Sequence, residues 1–437
     1  MKKVLSLFVL LVFASLAFAN GVSLNSPGTR AISMGGAYIA HVNDYSTPYW
    51  NPGGLVNVSG MQATIFITDI IPSATYKYEY ALAGINVNAK SKAQHLIAPN
   101  AAFLWKCMLY DKLHLGLSLI VPAGLGVEWD GKELADITGG TAYDWSSSIQ
   151  VINISLSGAM KFGDKLNAGL AFHLVNGSMA MDKPAKAQVP SSPPTYVYAQ
   201  YSETSDGWGY GLGFGAQYML TEKLTLGAAL RTKMTVKFEG EAENPLLAAT
   251  GSTKSDFDRD ITWPLWIGGG AAYKLNEKLL LAFDAQWSQW EETEEQLVAE
   301  YDNALWESTL AANGNNTIHL NWKSQVQLRL GAEYLMNEKL ALRAGFYLDP
   351  APGPDETQTI LIPNTDFTGL CFGFGYKINE KLSCDFGFEY LIGAEREIDP
   401  ADVMLNPLNP DPYNPLGMAG KHGLSIAVPS IAVTYKF

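Results

Sequence analysis

The sequence predicts an all-β protein, a transmembrane antiparallel β-barrel of about 14 strands with an N-terminal hatch, or plug, inside its lumen. Three observations carry that expectation. The first is a repeated short turn. Asn-Glu-Lys-Leu stands at Asn276 to Leu279, Asn337 to Leu340 and Asn379 to Leu382, with looser copies at Asp111-Lys112-Leu113, Asp164-Lys165-Leu166 and Glu222-Lys223-Leu224. Recurrence of this kind marks a repeat architecture. Second, the segments between the turns alternate. From Leu224 to Glu239 the even positions are almost all apolar and the odd ones polar, charged or small, and period two belongs to a strand with two unlike faces. Third, an export signal opens the chain, yet no later run of about 18 apolar residues follows that would make a membrane helix. Six short turns joining seven long hairpins give the strand number and put both chain ends on the short-turn side.

The export signal consists of Lys2 and Lys3, the apolar run Val4 to Phe13 and the small-residue site Ala17-Phe18-Ala19. It covers residues 1–19 and starts the mature chain at Asn20. Gly 41, Tyr 21, Phe 18 and Trp 11 in 437 residues, with a mean hydropathy near zero, suit a membrane barrel whose hydrophobicity is hidden by alternation. A formal net charge of -13 argues against a nucleic-acid partner. Cys107, Cys371 and Cys384 cannot form a disulfide framework, and alternation turns Cys371 inward and Cys384 outward. The six histidines are scattered and predict no metal site. Gly-x-Ser-x-Gly is absent, and the acids cluster in loops, as at Glu291-Glu292. Neither catalysis nor a cofactor is expected.

Residues 20–60 do not alternate. Their glycine pairs and Asn-Pro mark turns, and a barrel of this width cannot be filled by its own side chains, so the segment is expected in the lumen as the hatch. Gly28-Thr29-Arg30-Ala31, then Met34-Gly35-Gly36-Ala37, then Trp50-Asn51-Pro52-Gly53-Gly54-Leu55 resemble the hatch of the FadL/TodX family of outer-membrane transporters for hydrophobic compounds. The resemblance continues through Gly207 to Gly211, Gln286 to Trp290, Leu342 to Phe346, Ile362 to Asp366 and the ending Val433 to Phe437. Together these cover most of the mature chain in family order. The resemblance implies passive uptake of a hydrophobic ligand, long-chain fatty acids first and aromatic or alkane hydrocarbons next. It implies a monomer set in outer-membrane lipid and lipopolysaccharide. It also implies that Gly35, Gly36, Asn51, Pro52 and Gly53 belong to the hatch, with Asn51 and Pro52 at the inner mouth, although glycine replaces the alanine of the family's Asn-Pro-Ala. Two other classes fit the residues: a polar-solute porin, and a structural or secretion-associated barrel with protein partners.

The barrel is expected over 61–437. Its first hairpin runs from Met61 to Leu109. The third strand, Leu113 to Trp129, is interrupted by Pro122, Gly124 and Gly126, which predicts a bulge or a break in pairing. In the resembled family the third strand is kinked inward and leaves a gap, so these three residues are the expected lateral opening. The third outer loop, Lys183 to Tyr201, is proline-rich. In the fifth, Leu297, Tyr301, Leu305 and Trp306 fall at helical spacing. In the last strand Leu424, Ile426 and Val428 are even and Ile431, Val433, Tyr435 and Phe437 odd, which predicts a bulge at Pro429-Ser430 before the strand closes against the first.

Under the alternation Arg231, Lys233, Lys237, Arg329 and Arg343 point into the lumen. Basic groups there could hold the carboxylate of a fatty acid, but for any one of them pairing with neighbouring inward acids such as Glu239, Glu333, Asp385 and Glu389 is the first expectation, since lumen charge is ordinary in barrels. Trp105, Trp129, Trp145, Trp208, Trp263, Trp266, Trp287 and Trp290 lie near strand ends, where an interfacial girdle accounts for most of them.

Overall fold

A computed structural model describes residue 21 and residues 26–81, 84–108, 110, 112–189, 195–292, 296–312, 315–403 and 417–437. The export signal at 1–19 lies outside the described residues. The first described elements are α1 (Thr29–Ser33), α2 (Thr47–Trp50) and a 3-10 turn, Pro52–Asn57. Ala31, Met34, Tyr38, Ile39, Tyr45 and Trp50 from this stretch are buried together with Phe66, Ile120 and Trp266 of the surrounding strands. The segment therefore fills the bore.

Fourteen strands of the described residues cross the wall. They begin with β1 (Gln62–Tyr80), then β2 (Ile85–Lys90) continued by β3 (Leu96–Lys106), β4 (Leu113–Trp129), β5 (Trp145–Phe162), β6 (Leu166–Val189) and β7 (Thr195–Met219). The next two are each broken once, β8 (Leu224–Arg231) running into β9 (Met234–Glu243) and β10 (Lys254–Trp263) into β11 (Trp266–Lys274); β12 (Leu279–Ser288) follows. The fifth outer loop holds the short strands β13 (Gln296–Val298), β14 (Glu300–Tyr301) and β15 (Thr317–His319) and the helix α3 (Ala304–Ala312). The wall resumes with β16 (Gln325–Leu335), β17 (Leu340–Asp349), β18 (Phe367–Lys377), β19 (Leu382–Gly393) with its extension β20 (Arg396–Ile398), and β21 (Gly420–Lys436). β21 pairs antiparallel with β1 from Lys436 opposite Gln62 to Lys421 opposite Lys77. This closure joins the last strand to the first, so neither ends the sheet as an open edge; lipid demands it because lipid offers the backbone no hydrogen bonds.

The two faces of the wall settle its surroundings. Ile65 is 67 % exposed and Ile431 54 %, and Leu156, Phe172, Leu212 and Phe372 also stand outside, whereas Thr64, Ser155, Asp284, Gln286, Arg329 and Glu389 are buried within. Oily residues outside and polar ones inside invert the soluble pattern. The repeated turn has a local cause. Asn276 Oδ1 accepts from the amides of Lys278 and Leu279, both at 2.9 Å, and Asn337 and Asn379 do the same in their own turns; an Asx side chain thereby does the work of a backbone turn.

Four local expectations are corrected. β21 is unbroken, its register against β1 and β19 running through Ser430 without a shift; Leu424, Ile426 and Val428 point inward and line a cavity. Between β8 and β9 the pairing with β7 shifts by one residue, from Gly213 opposite Arg231 to Gly209 opposite Val236. The faces exchange there, so Val236 and Phe238 are buried and Lys233, Lys237 and Glu239 are exposed. Lys233 and Lys237 are therefore not lumen residues. Of the eight tryptophans near strand ends, most of which were expected in a girdle, Trp129, Trp145, Trp263, Trp266 and Trp290 are buried inside, and Trp208 is the strongly exposed one. The helix of the fifth loop starts only at Ala304, and Leu297 and Tyr301 lie on β13 and β14.

Candidate functional site

The hatch is fastened where its backbone needs partners. α1 is followed by Gly35 and Gly36, whose φ of 62° and 66° are open to glycine without the strain another residue would meet. Their turn lets the hatch lie directly on the wall. A Cβ at Gly35 would sit 2.9 Å from the Phe346 amide nitrogen, and one at Gly36 2.4 Å from Arg329 Nη1. Arg329 Nη1 donates to the Gly35 carbonyl at 2.9 Å. Elsewhere, Asp284 Oδ2 accepts from the Tyr38 and Ile39 amides at 2.6 and 2.9 Å. Asn51 Nδ2 donates to the carbonyls of Ile39, Ala216 and Ala228, while its Oδ1 accepts from the Gly53 amide. Pro52 opens the 3-10 turn, where a missing N–H is harmless.

A second fastening is ionic. Arg30 of α1 donates through Nε and Nη2 to the two oxygens of Glu333 at 2.9 and 2.8 Å. Arg343 donates through Nε to Glu333 Oε2 and through Nη1 to Asp385 Oδ1, each at 2.6 Å. Arg30, Arg343 and Asp385 border a polar vestibule of about 340 Å³ beneath the hatch, lined also by turn residues such as Lys339 and Lys381.

Above the hatch lies an apolar cavity of about 150 Å³. Pro27, Gly28, Ile32 and Phe66 make its floor, Met179, Ile261, Leu391 and Ile426 part of its sides, and Leu297, Trp322, Leu361 and Pro363 from the outer loops its roof. One side reaches a break in the wall. β3 and β4 pair only from Lys106 opposite His114 to Ala101 opposite Leu119, although β1 holds β3 as far as Leu96. Farther out, Ser91 opposite Trp129 makes a single bridge. Between these points β4 carries a register shift at Ile120/Ala123, where Pro122 has no amide hydrogen to give. The Asn100 side chain stands in for the ladder, its Oδ1 accepting from the Val121 amide at 2.7 Å. β4 leans inward here: a Cβ on Gly124 would lie 3.9 Å from Ile70 Cδ1 of β1, and Gly126 lines the cavity with Val121 and Leu125. Pro122 borders a smaller chamber of about 40 Å³, shared with Tyr49, Asn153, Trp266 and Arg231.

None of the four expected ligand-holding cations lines the apolar cavity. Arg231 is stacked between Tyr49 and Trp266, 3.9 and 4.4 Å from their ring centres. Arg329 packs 4.5 Å over Tyr347 and donates to Gln327, Arg343 holds Glu333 and Asp385, and Lys233 is exposed. Two carboxyls, Asp349 and Glu389, line the cavity instead.

A family model described as outer membrane protein transport protein (OMPP1/FadL/TodX) matches residues 10–437. The chain belongs to the FadL/TodX family. It is thus an outer-membrane β-barrel of a family that transports hydrophobic compounds. It is 26 % identical over 379 residues to outer membrane protein P1 of Haemophilus influenzae, covering 80 % of this chain and 78 % of that protein. To a long-chain fatty acid transport protein of Escherichia coli it is 25 % identical over 341 residues, covering 72 % and 73 % of the two chains. A FadL homologue of Pseudomonas aeruginosa shares the fold, with a TM-score of 0.79, 17 % identity and coverage of 95 % and 100 %. The Pseudomonas putida toluene transporter TodX does too, at 0.71, 18 %, 97 % and 100 %. The sequence pointed to the FadL/TodX hatch but not to the cavity lining of Asn100, Asp349, Leu424, Ile426 and Val428. A signal for the last three existed in their shared parity with Ser430, Ala432 and Thr434, small or polar residues that face inward.

Proposed function

We propose that this chain carries hydrophobic small molecules passively across the outer membrane. They enter through the outer loops, pause in the apolar cavity and leave sideways at the β3–β4 break beside Pro122, Gly124 and Gly126. The observation that carries the reading is the apolar cavity itself, closed below by the hatch and abutting the stretch of wall where the ladder stops. A purely aqueous pore would not serve such a ligand, because each CH₂ moved out of water gains about 0.8 kcal/mol. Relatives are named for long-chain fatty acids and for toluene. Between these the cavity supports uncharged hydrocarbons ahead of the fatty acids that the sequence put first, since carboxyls and no cation line it. Arg329 and Arg343 then serve as fasteners of hatch and wall.

A double variant, Asn100→Cys with Val121→Cys, tests the route by bridging the break where these two residues already touch. Oxidation should lower uptake of labelled toluene by intact cells to the level of cells lacking the protein, and reductant should restore it. Full uptake through the cross-linked protein would refute the sideways exit.

A further inference from the structure

The repeated turn carries a second pattern, one that closing a hairpin does not require. At five of the six turns the last outward-facing residue of the strand is large and apolar: Phe162, Leu220, Leu275, Met336 and Ile378, each 44 % to 50 % exposed. Three residues after each stands a lysine, at Lys165, Lys223, Lys278, Lys339 and Lys381, and all five lysines are exposed. Two residues before four of the apolar positions come Tyr218, Tyr273, Tyr334 and Tyr376, 41 % or 42 % exposed on the same outward face. Tyrosines in such a row mark the level where acyl chains give way to headgroups, and short turns lie on the periplasmic side of such barrels. On a tilted strand rising about 3.3 Å per residue, the apolar residue lies about 5 Å farther toward the periplasm than its tyrosine. Its contact with lipid holds the turn against the membrane, and the lysine ammonium comes to lie among the phosphates of the leaflet.

Charge is divided to match. The six short turns, 106–112, 161–165, 221–223, 274–278, 337–339 and 377–381, hold ten lysines and six acids, whereas the whole chain has 30 Lys and Arg against 43 Asp and Glu. Among the described residues no acid is in ion-pair contact with the five lysines; Lys377 of this rim pairs with Glu380 at 2.9 Å. The rim is basic on a chain that is otherwise strongly acidic.

We propose that the periplasmic rim binds anionic phospholipid headgroups of the inner leaflet, the phosphate of a phosphatidylglycerol meeting a turn lysine while its acyl chains run up the wall past the apolar residue and the tyrosine. A soluble anion would use the lysine and leave the apolar residue uncovered. A zwitterionic lipid would cover the apolar residue and bring no net charge. Near an anionic surface one lysine supports about a fivefold preference. The proposal stands apart from the uptake reading, since it involves neither the cavity nor the break in the wall.

Spin-labelled phosphatidylglycerol and phosphatidylcholine, compared by electron paramagnetic resonance as lipids immobilised by the full-length protein in mixed bilayers, test the rim. Wild type should hold phosphatidylglycerol about fivefold more strongly at low salt and less than about twofold more strongly at 1 M salt, where screening sets in within about 3 Å. Replacing the five lysines by glutamine should abolish the preference, and replacing them by arginine should keep it. Lys233→Gln with Lys237→Gln, on the outer half of the wall, should leave it as in wild type. Heat-modifiable gel mobility reports whether each variant is folded; if the glutamine variant is not, the wild-type preference and its loss with salt decide the matter. Equal retention of the two lipids by wild type overturns the proposal, as does a preference that survives the glutamine replacements. Inorganic phosphate that erases the preference where sodium chloride of the same ionic strength does not would give the lysines to a free anion and overturn the lipid site as well.

Discussion

Removing the carboxylate of Glu333 should release the hatch without unfolding the wall. Glu333 of β16 is the acid on which Arg30 of the hatch and Arg343 of β17 converge, with side chains 12 %, 16 % and 6 % exposed. In Glu333→Ala the two guanidinium groups would face one another; Arg343 would keep its ion pair with Asp385, and Arg30 its hydrogen bond to Asn43 Oδ1 and the more distant charge of Asp44. Breaking a buried pair by deleting one partner costs about 3–5 kcal/mol. Partial exposure and the surviving Asp385 contact put this case at the lower end, about 3 kcal/mol, which is roughly a 150-fold shift of the hatch toward its detached state at about 1.4 kcal/mol per decade. Hydrogen exchange of the protein in nanodiscs would read this as a loss of protection in peptides covering 29–50, with protection in β5, β6 and β18 retained. A hatch that exchanges within about threefold of wild type would show that the ionic fastening contributes little and that the Asp284 and Asn51 contacts hold the segment by themselves.

Gly36→Ala should cost about 1–2 kcal/mol from its left-handed φ, with more from the Arg329 contact, and should lower the midpoint of thermal unfolding. Ile426→Trp should fill the cavity and weaken toluene binding at least about tenfold, at an overpacking cost of about 1–3 kcal/mol in stability, read by tryptophan-fluorescence titration and by chemical unfolding. Burial, with the Arg30 charge adding to it, pushes the His41 imidazole down to about 3 from an ordinary 6.5. Its contribution is therefore fully present above about pH 6.5 and is lost as pH falls toward 3; hatch amides should exchange faster across that window, and His41→Gln should flatten the dependence.

The strand number and the closure of β21 on β1 could be read from the chain because turn chemistry and period two are local properties; the hatch motifs could be read through their resemblance to the FadL/TodX family. The faces of individual residues could not always be read, since apolar side chains in this protein do two jobs. On the lower half of β21, Ile431 and Val433 meet lipid; on the upper half, Leu424, Ile426 and Val428 line the cavity, and a change of duty looks in sequence like a change of parity. Tryptophans near strand ends carried the same ambiguity, and most turned inward. Lys233 was misplaced by a one-residue shift against β7 that no residue type between Arg231 and Met234 announces. The acid partners of Arg343 were among the inward acids read from the sequence, because Glu333 and Asp385 share its parity on neighbouring strands. Asp349 and Glu389 gained meaning only from the cavity, which is built by residues scattered over the whole chain.

The hatch separates two unlike spaces, a wet vestibule underneath and an oily chamber on top. A solute that departs through the side of the upper space never uncovers the lower one. Traffic of oils and leakage of salt would then be decoupled: cells making this protein in quantity should keep their resistance to small hydrophilic antibiotics.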